Sequence, residues 1–361
     1  MKYFLMLKLK SLITFIINRI KCTWIIRFYI LDLFTKQKKE SNYSKYVIFD
    51  LKSFDKDQIA TVLTFRYLGF KVFISIRTFF GMDSYVRKII KRSHLQPIII
   101  RKTYDFTLFT DSISKYNKYK KSSIFLKYNF FDKSKNDPFI TFPFHIGHYL
   151  NNTMWVNTGK EHKNRIKILF IGSASLKYSN KSINGFNVIA RNESIDIIRN
   201  RFPLHTYCPK SKAELFEELE SGRLSEKIVL VLRENFSLSK QDYALLLGES
   251  DFFLALPGMV NPISHNLTES LYAGSIPICQ YIPLYDPALI GLCLEYNNEQ
   301  ELAEKIGYAL KIDTDEINKL QEGIEKYILQ RNQLMHDLVN RKFTYAFVNT
   351  EKLSLYTSPK R

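Results

Sequence analysis

His145 and His148 stand three apart in FPFHIGHYLNN, and His265, Asn266 and Glu269 open the stretch SHNLTESLYAGSIPI, which runs from Ser264 to Ile278. Histidine titrates near neutrality, so the first pair suits proton transfer; either residue fits a general base, and both fit acceptor binding or a structural part. The second group suits anion and ribose recognition. A helix that begins just after a strand turns unpaired amides and the positive end of its dipole toward a phosphate. At such a start Ser264 and Asn266 are caps or phosphate donors, and His265 donates to a phosphate oxygen or faces solvent. Glu269, one turn further in, can accept two hydrogen bonds from a ribose diol. The same Ser, Asn and Glu would also serve a helix that binds nothing, because they satisfy its own first turn. Three carboxylates near strand or helix ends, Asp50, Asp83 and Asp111, are alternative bases or turn caps.

The elements that must hold these groups follow from periodicity. YVIFD (46 to 50) reads as a strand, KDQIATVLTFRYLG as a helix ending at Gly69, and FKVFISI (70 to 76) as a buried strand. After a turn at Gly81, MDSYVRKIIKR reads as a helix; PIIIR, DFTLFT and SIFLKY are further strands. Short apolar strands alternating with helices imply a mostly parallel sheet covered on both faces. DPFITFPFHIGHYLNNTMW breaks the alternation and reads as an irregular connection lining a cleft. A second alternation begins at RIKILFIGSAS, whose Gly172, Ser173 and Ala174 at a strand end permit a ligand to approach backbone amides. RNESIDIIRN and KAELFEELESG read as helices, KIVLVLR as a strand, SKQDYALLLGES as a Ser-capped helix, and DFFLALPG as a strand entering a turn. LCLEY is a short strand, NEQELAEKIGYALK a helix, and residues 313–343 form long helical structure with a break near Gly323. The fold class is therefore α/β, with two Rossmann-like domains facing a cleft, residues 41–155 and 156–335, then an extension over 336–361 that returns to the first domain.

Composition narrows the classes. The chain has 361 residues, 45% apolar and 14% aromatic, enough for two cores and unlike a disordered chain. Its formal net charge of +18 points to an anionic partner, whether nucleotide phosphate, phospholipid or nucleic acid, or to a solubilising surface. The aromatics fall in strand patterns with no stacking module, so nucleic acid is not expected as a partner. Cys22, Cys208, Cys279 and Cys293 form no CxxC pair and fit a reducing compartment. In the first 34 residues, Lys8, Lys10, Arg19, Lys21 and Arg27 interrupt an apolar run before it reaches spanning length. With no small-residue cleavage site, the segment over residues 1–40 reads as a helix lying on a membrane surface or packed on protein. GxGxxG and GxxxxGK[ST] loops are missing, and no DxD-like pair follows an early strand, so metal-independent chemistry is expected; zinc held by His145, His148 and a distant Cys is poorly specified.

The string DYALLLGESDFFLALPGMVNPISHNLTESLYAGSIPI resembles the donor-side signature of the exostosin-like glycosyltransferases and, less closely, of the fucosyltransferase-like enzymes. Ser250, Phe253, Leu256, Pro257, Gly258, Ser264, Glu269, Leu271, Ala273, Gly274, Ile276 and Pro277 carry the likeness, which covers mainly residues 228–310. It implies a type B glycosyltransferase fold, with a UDP- or GDP-linked nucleotide sugar on the C-terminal domain and a glycan or lipid-linked acceptor on the N-terminal one. Two departures stand out. Those families have an Arg between the terminal Pro and Gly and another two residues after the Ser, whereas Pro257 meets Gly258 directly and Asn266 fills the second place. Arg191, Arg233 and Lys177 are the remaining sources of phosphate charge, each also suited to a surface ion pair. The expected activity is sugar transfer in bacterial surface polysaccharide or lipopolysaccharide synthesis, cytoplasmic and peripheral on the inner face of the plasma membrane. A nucleotide-sugar epimerase, a phosphoryl transferase, or a basic nucleic-acid or membrane-surface binding protein are the alternatives.

Overall fold

The computed structural model describes residues 46–52, 56–82, 84–100, 105–127, 137–140, 144–151, 166–183, 186–259 and 262–348. The apolar basic N-terminal segment and Asp83 lie outside them. The chain divides into a unit Met1–Lys45 and a unit Tyr46–Arg361, and the elements below belong to the second.

Its strands are β1 (Tyr46–Asp50), β2 (Lys71–Ser75), β3 (Gln96–Ile98), β4 (Phe106–Thr110), β5 (Ser123–Lys127), β6 (Phe139–Ile140), β7 (Ile166–Gly172), β8 (Ser182–Ile183), β9 (Phe186–Asn187), β10 (Thr206–Tyr207), β11 (Ile228–Leu232), β12 (Ser250–Leu254), β13 (Ile276–Cys279), β14 (Leu294–Glu295) and β15 (Tyr345–Val348). β8 and β9 form a small antiparallel pair; of the two large sheets, one has the order β3-β2-β1-β4-β5-β15-β6 and the other β10-β11-β7-β12-β13-β14. Every neighbouring pair in both is parallel. Each sheet is built from strands such as IVLVL of β11, buried at every position, which is what a parallel sheet covered on both faces requires. These are two Rossmann-like domains.

Topology fixes where a ligand can sit. From β7 the chain builds β10 and β11 on one side, then crosses to lay β12, β13 and β14 on the other. The crevice outside the carboxyl ends of β7 and β12 is thus a topological switch point, where open α/β sheets bind ligands. In the first sheet the same reversal falls between β1 and β4, which end at Asp50 and Thr110.

Two segments stitch the domains together. Phe144 is buried in the core of the second domain and Ile146 in that of the first, while Tyr149 packs against both. The helix Thr314–Val339 does likewise: Ile317, Ile324, Tyr327 and Ile328 enter the second core, and Met335, Leu338 and Val339 the first. Its last buried carbonyl, that of Val339, accepts from Thr107 Oγ1 at 2.7 Å, and β15 then inserts between β5 and β6.

Local readings need four corrections. The helix Thr314–Val339 runs unbroken through Gly323, where a Cβ would fall 2.4 Å from Leu292 Cδ2, so this glycine serves close packing rather than a break. The strand over 70–76 stops at Ser75, whose Oγ accepts the Thr78 N–H at 3.1 Å and caps a helix Ile76–Gly81 that periodicity missed. The connection read as irregular contains β6 and a helix, Ile146–Asn151. The strand expected over LCLEY shrinks to Leu294–Glu295. Among the described residues no helix is long and apolar enough to cross a membrane.

Candidate functional site

A cavity of about 610 Å³ opens at the β7/β12 switch point, and His145 from the connecting segment forms part of its wall. Arg191 spans the two strand ends. It starts the helix Arg191–Arg201, and its Nε and Nη2 donate to the Pro257 carbonyl at 3.1 and 2.8 Å while Nη1 reaches the Ser173 carbonyl at 3.5 Å. Its guanidinium lies 3.9 Å from the centre of the Tyr178 ring. The group stays charged when buried, so it is a fixed cation on the cavity wall. Gly172 makes room for it: a Cβ there would meet Phe170 Cζ at 2.8 Å and Arg191 Nη1 at 3.4 Å.

The opposite wall is the start of the helix His265–Ala273. Ser264 is its N-cap residue, but the Ser264 hydroxyl donates to Asn266 Oδ1 instead of accepting from the helix. The Ser264 side chain therefore does not cap this helix start, which lies on the cavity that Ser264, His265, Asn266 and Gly258 line.

A third wall comes from the helix Lys240–Gly248, whose start is fixed by a capping box between Ser239 and Asp242. Lys240 lies half-buried on the wall, and burial pulls its pKa down, partly offset by Glu269. Exposed Arg233, just past β11, also lines the cavity. Arg191, Arg233 and Lys240 thus converge with one helix start.

Glu269 lies deepest, 1% exposed. Its Oε1 accepts the backbone N–H of His145 at 3.0 Å and stands 3.3 Å from His148 Nε2, and its Oε2 accepts the Tyr243 hydroxyl at 2.7 Å. Burial alone would raise its pKa, but His265, His148 and the Tyr243 hydroxyl together hold the carboxyl below its ordinary range. Burial and the adjacent carboxylate push the Tyr243 phenol well above its usual value, so it stays a donor. A carboxylate has about four lone-pair positions. The His145 amide and the Tyr243 hydroxyl take one on each oxygen and His148 Nε2 crowds Oε1, so both oxygens are engaged by the protein where the sequence suggested a bidentate grip on a diol.

His145 faces the cavity with its ring 5.0 Å from that of His265. Its Nδ1 accepts the Gly147 N–H at 3.1 Å. Burial, then His265 and Lys240, lower its pKa to about 3, so the ring is neutral at physiological pH and carries its proton on Nε2. That tautomer presents a donor to the cavity, which corrects the reading of His145 as a base. Gly147 sits in the same crowding: a Cβ would fall 2.9 Å from Lys240 Cε and 3.0 Å from His145 Nδ1.

The remaining sequence candidates fall elsewhere. His148 is fully buried behind the wall against Glu269, which corrects its reading as a base because no acceptor can reach it. Gly172 and Ser173 line the cavity, but the amides expected beyond them are taken: Glu234 accepts the Ser173 hydroxyl and, at 3.2 Å, the Ala174 N–H. Lys177 is exposed and off the wall. Asp50 is buried, accepts from Ser75 Oγ and stands 3.6 Å from Arg77 Nη1. Asp111 accepts the Lys52 N–H at 2.9 Å, and burial raises its pKa. Sequence reasoning missed Lys240, Tyr243 and Tyr178. For the first two a signal existed: the Ser239 cap places a helix start at a sheet's carboxyl edge, and positions 240 and 243 share one helix face. Among the described residues no group of three or more His, Cys, Asp or Glu is arranged to hold a metal ion.

No family model matches the chain, and no curated protein matches it. Solved structures do align. The chain is similar to a glycosyltransferase from Rickettsia africae at 16% identity and a TM-score of 0.40, covering 81% of this chain and 96% of that one. It is similar to HepE of Anabaena in complex with UDP-glucose at 10% identity and a TM-score of 0.42, covering 82% and 99%. The catalytic domain of starch synthase IV from Arabidopsis thaliana, bound to ADP and acarbose, aligns at 14% identity and a TM-score of 0.32, covering 86% and 76%.

Proposed function

We propose that the protein is a glycosyltransferase that moves a sugar from a UDP- or GDP-linked donor held on the second domain to a glycan or lipid-linked acceptor presented by the first. The observation that carries this reading is the convergence of Arg191, Arg233 and Lys240 on the start of the His265 helix, which the Ser264 side chain does not cap, at a sheet switch point. A diphosphate is the ligand such a site fits, since it needs both fixed amides and more than one cation. In the reaction the bond from the sugar anomeric carbon to the phosphate oxygen breaks and its electron pair stays with the diphosphate. The acceptor oxygen bonds to that carbon, and the hydroxyl proton ends in solvent. Cations at the departing group stabilise the charge that develops there.

The first half of the chain suits an anionic acceptor or the surface that carries it. Residues 1–165 hold 31 Lys and Arg against 11 Asp and Glu, whereas residues 166–361 hold 22 against 24. The whole cationic excess therefore lies outside the nucleotide domain, where a lipid-linked or lipopolysaccharide acceptor and an anionic inner leaflet would be met. The charge asymmetry supports a role in bacterial surface polysaccharide assembly, peripheral to the cytoplasmic face of the membrane. Turnover of UDP- and GDP-sugars with and without polyprenyl-phosphate-linked and lipopolysaccharide-core acceptors tests the proposal. A glycosylated acceptor is expected; interconversion of the donor without an acceptor would make the protein an epimerase instead.

A further inference from the structure

Resting on the nucleotide-sugar reading above, we propose that His145 is a neutral hydrogen-bond donor to the diphosphate of the bound donor, offering Nε2–H to the oxygen on which charge gathers as the sugar departs. The geometry excludes the base role at the same atom. For Nε2 to accept a proton the ring proton would have to sit on Nδ1, which faces the Gly147 N–H at 3.1 Å, and two hydrogens would then meet. The backbone fixes the ring as well: the His145 N–H is held by buried Glu269 at 3.0 Å, so residue 145 is pinned to the nucleotide domain.

The groups around the ring keep it uncharged. His265 and Glu269 face it from the helix behind the phosphate seat, Lys240 from the neighbouring helix, and His148 from its own. Burial and the cations outweigh Glu269, which alone favours the charged ring. A neutral N–H beside Lys240 and the start of the His265 helix complements an anionic oxygen without titrating during turnover. The electron pair of the broken bond moves onto that oxygen, the His145 proton stays on the ring, and the acceptor proton ends in solvent.

Three proteins test this, all as the full chain: the unaltered enzyme, His145→Ala and His145→Gln, whose amide NH₂ reaches about as far as Nε2–H. Two readouts are needed, kcat/KM from pH 5 to 9 with a UDP- or GDP-sugar, and calorimetric affinity for UDP and GDP. His145→Ala is expected to lose about 10- to 100-fold in kcat and about tenfold or more in nucleoside diphosphate affinity. His145→Gln is expected to stay within about fivefold of the unaltered enzyme with a pH profile of the same shape, as a neutral donor should. A limb near pH 6–7 that vanishes in His145→Gln, with a loss of about 100-fold or more, would make His145 a base and overturn the proposal while leaving the transferase reading intact. Failure of the unaltered chain to bind UDP or GDP would overturn both.

Discussion

Removing the Glu269 carboxylate should unsettle the protein before it affects any ligand. Two donors bond that buried group, the His145 amide and the Tyr243 hydroxyl, and His148 Nε2 stands at ion-pair distance from it. Glu269→Ala strands both donors. At about 1–3 kcal/mol for each buried donor left unmet, the loss is about 2–6 kcal/mol, a large part of a typical fold's total. A fall in Tm on the order of 10 °C is expected by differential scanning calorimetry. Glu269→Gln keeps an oxygen for His145 and His148 and turns an NH₂ toward the Tyr243 oxygen, so it loses only the charge assistance, about 1–3 kcal/mol. The pH dependence separates the two effects. Because the folded carboxyl is held below its unfolded value of about 4.3, its stabilisation is complete above that value and declines as pH falls through it toward the lower folded value. The gap between the unaltered protein and Glu269→Gln should therefore be widest near neutrality and close as the solution is acidified below about pH 4. A Tm for Glu269→Ala within 2 °C of the unaltered protein, about the shift of a single kcal/mol, would refute the claim that this carboxylate ties the two domains together.

Three further outcomes follow from the geometry. Gly147→Ala drives a methyl group into Lys240 and His145, so transfer should fall at least about tenfold while calorimetry shows a Tm change of only about 2–4 °C. Arg191→Lys cannot hold both the Pro257 and Ser173 carbonyls, and calorimetric affinity for UDP or GDP should weaken about 10- to 100-fold. Asp286 is buried and pairs with Arg331 Nε at 2.8 Å beneath Phe139 of the first sheet. Asp286→Ala should cost about 3–5 kcal/mol in urea unfolding, whereas Asp286→Asn with Arg331→Met, which keeps an acceptor for the Ala288 N–H, should recover most of it.

The sheets were legible because β1, β2, β4, β7, β11 and β12 are apolar runs of strand length separated by helical periodicity. The short elements were not. The two-residue β14 and the six-residue helices Ile76–Gly81 and Ile146–Asn151 carry too little pattern to declare themselves. Gly323 misled because local propensity counts glycine as a helix breaker, while here the helix runs on through it with Leu292 packed against the space a Cβ would take. At the site, Ser264, His265, Asn266 and Arg191 could be found from strand ends and helix starts. The state of His145 could not, because it depends on a bond to Gly147 and on His265 and Lys240, 120 and 95 positions away in the chain. Glu269 was found for one reason and is held for another: its spacing from the helix start is right for ribose, yet its partners come from segments 124 and 26 residues distant.

If the β7/β12 cavity seats a nucleoside diphosphate, isothermal titration of the full chain with UDP, GDP, their monophosphates and the free nucleosides will show it. One diphosphate is expected to bind at least about tenfold more tightly than its monophosphate, with Arg191→Ala or Lys240→Ala removing most of the difference. Equal affinity for diphosphate and nucleoside, or a diphosphate preference untouched by both substitutions, would contradict it.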